Sequence, residues 1–204
     1  MKDSKKMNDQ KQPSRNGQTT SEVKGGAGYR ESLTGKRLRR AVTVAMLVAA
    51  AMVLSYVESL LPFFVPIPGV KLGLANTVTL FALYVLGWRD AAFVSVLRVS
   101  LSALLFGNAV AFIYSASGAL LSFICMLLVY RIGRFSPVGV SVTGGVAHNV
   151  GQVISAALVM ETAGVLGYIA PLLISGTVAG VVIGIVAGIL VVKVKDTVNK
   201  ILGS

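Results

Sequence analysis

The sequence predicts an all-α fold, a polytopic membrane protein built as a bundle of six transmembrane helices with both termini in the cytoplasm. Hydrophobic residues make up 54% of the 204 residues and charged residues only 13%, against about 25% charged in a soluble domain. The hydrophobic residues come in runs close to the ~20 residues that a helix needs to cross a bilayer. The loops between these runs alternate between basic and nearly cation-free, the pattern that orients membrane helices.

The apolar runs define the spans and their connections. The predicted spans cover roughly residues 41–61, 71–87, 91–107, 109–130, 139–160 and 164–192, within a transmembrane domain over 41–195. The second and third spans are short, and only Gly107 and Asn108 separate the third from the fourth. A loop that contains proline and glycine, Pro66 to Asn76, joins the first span to the second and carries a cation, Lys71.

Residues 1–40 form a basic tail before the first span. They hold eleven of the nineteen Lys and Arg residues, four acids and few large apolar side chains. Such a composition cannot bury a core and predicts disorder. Lys36, Arg37, Arg39 and Arg40 directly precede the first span, where a basic cluster fixes orientation and attracts anionic lipid head groups. The membrane therefore explains the excess charge, and we do not expect nucleic acid as a partner.

Charge asymmetry also sets the predicted orientation in the cell membrane. Cations follow spans two, four and six, at Arg89, Arg131, Arg134, Lys193, Lys195 and Lys200. The alternate loops contain one cation, Lys71, so we expect them outside the cell. Cations are enriched in cytoplasmic loops, and this rule does not explain a lysine on the outer side. We therefore expect Lys71 at the outer mouth of a binding site, with Asn76 just inside.

Polar residues inside the apolar runs mark the candidate ligand site. A central arginine costs roughly 2.5–3.5 kcal/mol to insert, and Arg98 lies inside span three. His148 and Gln152 project from one face of span five because they are four residues apart, and Asn149 lies beside them. The candidate ligand-binding residues are Lys71, Asn76, Arg98, Asn108, His148, Asn149 and Gln152. They predict a cavity, open to the outside, that suits a carboxylate or phosphate.

These residues also have structural interpretations. Arg98 can pair with backbone carbonyls or with another helix. A lone intramembrane histidine can hydrogen-bond across helices, bind a ligand or accept a proton near neutral pH. Glu58 and Glu161 lie near the outer ends of their spans, and we expect both to be solvated. Cys125 lies in an apolar run and is expected to be a small packing residue.

Two ridges of small residues predict close helix contacts. Ala41, Ala45 and Ala49 recur every fourth residue in span one. In span six, the glycines at the same spacing are Gly176, Gly180, Gly184 and Gly188. Small residues at this spacing let helices approach closely in lipid. We interpret the glycines as packing within the bundle, while the alanines suit either internal packing or an external protein partner.

The sequence shows no catalytic constellation. Its aspartates, Asp3, Asp9, Asp90 and Asp196, are dispersed, whereas prenyl-diphosphate chemistry needs clustered aspartates to hold magnesium against the diphosphate. The single histidine, His148, excludes a site built from several histidines. The chain also lacks a phosphate-binding P-loop. We therefore expect no enzyme activity, no metal and no cofactor.

Three motifs resemble a bacterial membrane family. The stretch Pro66–Asn76, the pair Leu97-Arg98 and the segment Gly144–Gln152 are similar to the family named heptaprenyl diphosphate synthase component I, also called the Gx transporter family. The resemblance covers roughly residues 40–192. The family name implies a prenyltransferase subunit. Because the aspartate-rich motifs of that reaction are missing, the name is compatible only with a noncatalytic accessory.

The architecture is also similar to the substrate-binding S component of energy-coupling-factor transporters. That resemblance implies uptake of a small, anionic or amphiphilic micronutrient. It assigns Ala41, Ala45 and Ala49 to contact with a membrane coupling subunit, which works with cytoplasmic ATPases. Two alternatives stay open. One is a noncatalytic membrane subunit of heptaprenyl diphosphate or quinone metabolism, and the other is a membrane scaffold of a redox complex.

Overall fold

The computed structural model describes residues 18–60 and 73–202. The chain divides into two units, residues 1–39 and 40–204. Helix α1 (Gln18–Leu60) begins in the first unit, within the basic tail for which composition predicted disorder. Extending an existing helix by one residue is far more favourable than starting a new one, which accounts for helix in a polar sequence of this kind. Residues 1–17 lie outside the described residues.

The second unit is helical throughout the part that the structure describes, residues 40–60 and 73–202, so the all-α prediction is confirmed there. After α1, its helices are α2 (Asn76–Val85), α3 (Trp88–Phe106), α4 (Ala109–Ile132), α5 (Pro137–Val159) and α6 (Ile169–Leu202). A 3₁₀ helix, Ala163–Tyr168, precedes α6. The short connections make consecutive helices neighbours that run in opposite directions.

Local sequence signals account for several helix ends. The Oδ1 atom of Asn108 accepts a hydrogen bond from the backbone N–H of Ala111 at 2.8 Å, so Asn108 caps the start of α4. Gly133 ends the same helix in the left-handed region with φ of 71°, a conformation that favours glycine. Ser136 caps α5, whose first residue is Pro137. These signals explain why the fourth and fifth predicted spans agree closely with α4 and α5.

Within residues 18–60 and 73–202, four helical segments are long and apolar enough to cross a membrane. They are Thr34–Leu60, Ala109–Ile132, Pro137–Val159 and Ala163–Lys195. Helix α3 has 19 residues but includes Arg89, Asp90 and Arg98. Helix α2 has 10 residues and is ~15 Å long, about half the hydrocarbon thickness. Within the predicted second span, 71–87, residues 73–75 form a turn that precedes α2.

Helix α2 lies at the centre of the bundle. Its buried Leu80 and Leu83 pack in one apolar cluster with Met126 of α4 and Val140 of α5. On another face, Val78 packs with residues of α1 and α3. A helix that is apolar on all sides is stable only when other helices surround it. The shortness of α2 is thus compensated by nearly complete burial.

The glycines of α6 lie against the backbone of α5. A Cβ atom built on Gly180 would be 2.7 Å from Cα of Val142, and one on Gly184 would be 2.6 Å from Cα of Val138. Gly176 faces Gly145 of α5, and its Cβ would be 3.0 Å from the Gly145 carbonyl oxygen. Only residues without a side chain permit helix axes to approach this closely.

An ion pair joins α1 and α3 at the end of the bundle opposite Leu60. Arg40 Nε lies 2.7 Å from Asp90 Oδ2. Asp90 belongs to the first turn of α3, so residue 40 and the start of α3 share this end. The C-termini of α4 and α6 reach the same end because the helices alternate in direction. The cations Arg131, Lys193 and Lys195 are exposed there.

We predict that Gly180→Ala destabilises the protein whereas Gly188→Ala does not. The new methyl group at 180 overlaps α5 backbone, and overpacking of this kind costs about 1–3 kcal/mol. The methyl group at 188 would be 3.8 Å from Pro137, an ordinary contact. Thermal unfolding in detergent measures both variants, and equal melting temperatures would contradict the close α5–α6 contact.

Candidate functional site

The site is built around the turn that precedes α2. Gly73 has φ of +84°, which favours glycine because side chains clash there. Its backbone N–H donates a short hydrogen bond to Oε1 of Glu58, and the N–H of Leu74 donates to the same oxygen at 3.4 Å. The carboxylate therefore accepts hydrogen bonds from two N–H groups of the turn that precedes α2. Glu58 thereby holds the α2 turn against the end of α1.

Arg98 is held by the first residue of α2. Its Nη2 atom donates to Oδ1 of Asn76 at 2.9 Å, and Nδ2 of Asn76 lies 3.4 Å from Oγ of Ser122. Arg98 is 5% exposed, so its charge depends on the protein for solvation. Its Nε has no hydrogen-bond partner among residues 18–60 and 73–202. One N–H donor of this guanidinium is thus open to another acceptor.

His148 and Gln152 approach this group from α5. The Gln152 amide nitrogen lies 3.1 Å from Nε2 of His148, and both side chains are almost fully buried. Gly118 of α4 allows this approach, because a Cβ there would be 2.8 Å from Cγ of Gln152 and 3.0 Å from Cε1 of His148. On the other side, a Cβ on Gly73 would be 3.2 Å from Cδ2 of His148. Two glycines therefore hold the imidazole between α4 and the α2 turn.

These contacts define the polar cluster, a group of buried side chains from the end of α1, the start of α2 and the middle parts of α3 and α5. Its members are Glu58, Asn76, Arg98, His148 and Gln152. Glu58, Arg98 and His148 line one cavity with the serines Ser55, Ser102 and Ser115. The cavity has a volume of about 10 Å³, roughly that of one water molecule. A carboxylate and a guanidinium on one small cavity largely offset each other's charge.

The structure brings four of the seven candidate ligand residues together. Asn76, Arg98, His148 and Gln152 meet in the polar cluster, and Lys71 lies outside the described residues. Asn108 is exposed and caps α4. Asn108 was grouped with the other candidate ligand-binding residues only because it lies at the same end of the bundle.

Asn149 is buried but makes its contact with α6 instead of the cluster. Its Nδ2 donates to the carbonyl oxygen of Leu172 at 2.6 Å. Its Oδ1 has no hydrogen-bond partner within the described part of the chain. Asn149 follows His148 directly, so it is rotated about 100° around α5 and meets a different neighbour. In this structure Asn149 links α5 to α6.

Glu58 is the site residue that the sequence argument missed. We expected it to be solvated, but it is 3% exposed. The expectation is wrong because the end of α1 is covered by the α2 turn, which supplies N–H donors to the carboxylate. One signal pointed to it in the sequence. Ser55 and Glu58 are three residues apart on one helical face, and both line the cavity with Arg98.

The alanine ridge of α1 lies on the surface of the second unit. Ala41, Ala45 and Ala49 are exposed, while Val44, Val48 and Ala51 face the helix bundle. Within the described ranges, the structure groups no three His, Cys, Asp or Glu side chains closely enough to share a metal ion.

The apolar helical bundle with a buried polar cluster defines the class of this protein as a helical integral membrane protein. More specifically, the chain belongs to the heptaprenyl diphosphate synthase component I family, whose model matches residues 47–190. The matched region contains every member of the polar cluster and leaves out the basic tail. No curated protein and no solved structure matches the chain.

We predict that Glu58→Gln lowers stability strongly whereas Glu161→Gln does not. The first change removes the carboxylate that shares a cavity with Arg98, and leaving a buried charge uncompensated costs about 3–5 kcal/mol. Glu161 is exposed, so neutralising it leaves no charge uncompensated. The measurement is unfolding in detergent, monitored by circular dichroism. Equal stability of the two variants would contradict electrostatic compensation by Glu58.

Proposed function

We propose that this chain is a substrate-binding membrane component of an uptake system, which binds a small amphiphilic molecule at the polar cluster. The observation that carries the proposal is the convergence of Arg98, Asn76 and Glu58 at one end of an apolar bundle. Ionisable residues inside a membrane are costly and usually mark a binding site or an ion pathway. Nε of Arg98 adds a buried donor that has no hydrogen-bond partner among the described residues.

The charges of the cluster favour a polar head group that is not simply anionic. Arg98 offers N–H donors, while Glu58 offers acceptor oxygens on the same cavity. Because Glu58 already balances Arg98, a second anion would be repelled by the carboxylate. A head group with both an acceptor and a donor satisfies the two residues together. This favours the amphiphilic over the anionic form of the expected ligand.

Binding of such a head group requires the cavity to widen. Its volume of about 10 Å³ accommodates roughly one water molecule. The turn at Gly73 is held by Glu58, so a ligand group that replaces its N–H donors would release the start of α2. Ligand capture is therefore coupled in this proposal to a shift of the α2 turn relative to α1.

An ATPase module drives the release step in this proposal. The exposed Ala41, Ala45 and Ala49 suit close packing against a helix of a membrane coupling subunit. The basic tail lies in the cytoplasm, where it binds anionic lipids, and the polar cluster opens outside. In this proposal, Lys71 lies at the outer mouth of the binding site.

The family description supports a second candidate function, that of a noncatalytic membrane subunit in heptaprenyl diphosphate metabolism. In that case the chain would hold a soluble synthase at the membrane and would need no ATPase. Purification in mild detergent separates the two. Association with ATPase subunits supports uptake, while association with an aspartate-rich synthase supports the accessory role.

We predict that Arg98→Gln abolishes retention of the natural ligand whereas Arg131→Gln retains it. Losing hydrogen bonds to a charged group costs about 1.5–3 kcal/mol, which corresponds to an affinity loss of roughly tenfold to a hundredfold. Arg131 is exposed at the end of α4. The Arg131→Gln variant therefore controls for the loss of one positive charge outside the polar cluster. Mass spectrometry of small molecules released from the purified proteins provides the readout.

The contrary result would be a well-folded Arg98→Gln protein that releases the same small molecule in the same amount as the parent. Circular dichroism establishes that the variant is folded. Such a result would assign Arg98 a purely structural role and would remove the main support for ligand binding.

We predict that Ala45→Leu disrupts assembly with the ATPase module whereas Ala170→Leu does not. A leucine prevents the close approach that alanine permits on an exposed helix face. Ala170 is also exposed but lies on α6, so it controls for a larger apolar side chain. Co-purified ATPase activity measures the assembly, and equal activity in both variants would exclude the alanine ridge as the contact.

A further inference from the structure

A lateral groove runs between α3 and α4 beside the polar cluster. Its first part has a volume of about 240 Å³ and is lined by side chains including Val96, Val99, Phe112, Ala116, Leu120 and Phe123. A second part of about 460 Å³ continues toward Asn108 and shares Ser100 and Phe112 with the first. The lateral groove is mostly apolar, with Ser95, Ser100 and Asn108 as its polar lining residues, and its residues Leu104 and Leu120 are exposed.

Val99 separates the lateral groove from the polar cluster. Its side chain lines both the first part of the groove and the small cavity that contains Glu58, Arg98 and His148. Val99 directly follows Arg98 in α3, so one turn of helix carries the guanidinium on one side and the groove wall on the other. The polar and apolar spaces therefore adjoin at Val99.

We propose that the lateral groove holds the hydrocarbon chain of a ligand whose polar head occupies the polar cluster. This inference rests on the proposed function and names the ligand class, a single-chain amphiphile with an uncharged head that both donates and accepts hydrogen bonds. Small-molecule sites combine an apolar lining with a few placed polar groups. The continuity through Val99 supplies that combination.

The groove and the cluster have different roles in this recognition. Lipid tails are as apolar as the groove wall, so a chain gains little free energy by moving from the bilayer into the groove. The head group supplies the affinity through Arg98, Asn76 and Glu58. The groove admits a flexible hydrocarbon chain and excludes a bulky ring system. In this proposal the ligand enters the groove laterally, from the bilayer.

Photolabelling with two matched probes tests the inference on the full-length protein in lipid nanodiscs. The first probe is hexadecanamide with a diazirine in mid-chain, because a primary amide carries an acceptor and donors. The second is the same photoreactive chain without a head group. Peptide mass spectrometry maps the labelled residues, and unlabelled hexadecanamide tests whether labelling is saturable.

We expect the amide probe to label the lateral groove at least about fivefold more than the headless probe, with labelling that unlabelled amide suppresses. An anchored head raises the local concentration of the chain at the groove. Ala116→Phe, which obstructs the groove, should abolish this enrichment, while Ala170→Phe on α6 should leave it unchanged. Arg98→Gln should reduce groove labelling to the level of the headless probe.

Two outcomes would overturn the inference while leaving ligand binding intact. One is saturable amide labelling that maps away from α3 and α4. The other is no saturable labelling by a protein that still retains a natural ligand in an Arg98-dependent manner. If neither the amide nor a natural ligand binds, the proposed function fails as well. Melting temperatures of the two phenylalanine variants confirm that obstruction, and not unfolding, causes any loss.

Discussion

The charge of Arg98 has to be solvated largely by the protein, because the side chain is buried and an isolated ion in an apolar medium is strongly disfavoured. Asn76 accepts one of its hydrogen bonds, and Glu58 places a carboxylate on the same cavity. Glu58 can be there only because the turn at Gly73 donates backbone N–H groups to it. The end of α1, the start of α2 and the middle of α3 therefore depend on a single set of polar contacts.

The same contacts explain how a helix of ten residues is kept at the centre of a membrane protein. Apolar packing surrounds α2 on all sides, but packing alone does not fix its position along the bundle axis. The hydrogen bonds of the preceding turn to Glu58 and the contact of Asn76 with Arg98 set that position. A ligand that competes for either contact would act directly on α2, which connects recognition to a structural change.

The spans predicted from the sequence agree best with the structure for α4 and α5. The spans predicted from apolar runs, 109–130 and 139–160, lie close to α4 and α5, whose ends the structure shows to be set by local capping and helix-breaking residues. The sequence predictions were less accurate for the residues of the candidate site. Glu58, Asn108 and Asn149 were all assigned from their position in a span, yet one is buried in the cluster, one is exposed and one contacts α6. Position along a span gives depth, while the direction of a side chain relative to its neighbours requires the packed bundle.

By itself, the sequence determined that this chain is a helical membrane protein, that its polar residues are concentrated in a few spans, and that it belongs to the component I family. Composition, run length and motif spacing are local properties and are sufficient for these conclusions. Only the tertiary structure decided that Glu58 and Arg98 line one cavity, that α2 is a short central helix, and that Val99 borders both the polar cavity and an apolar groove. Those facts depend on contacts between residues far apart in the chain, which no single segment encodes.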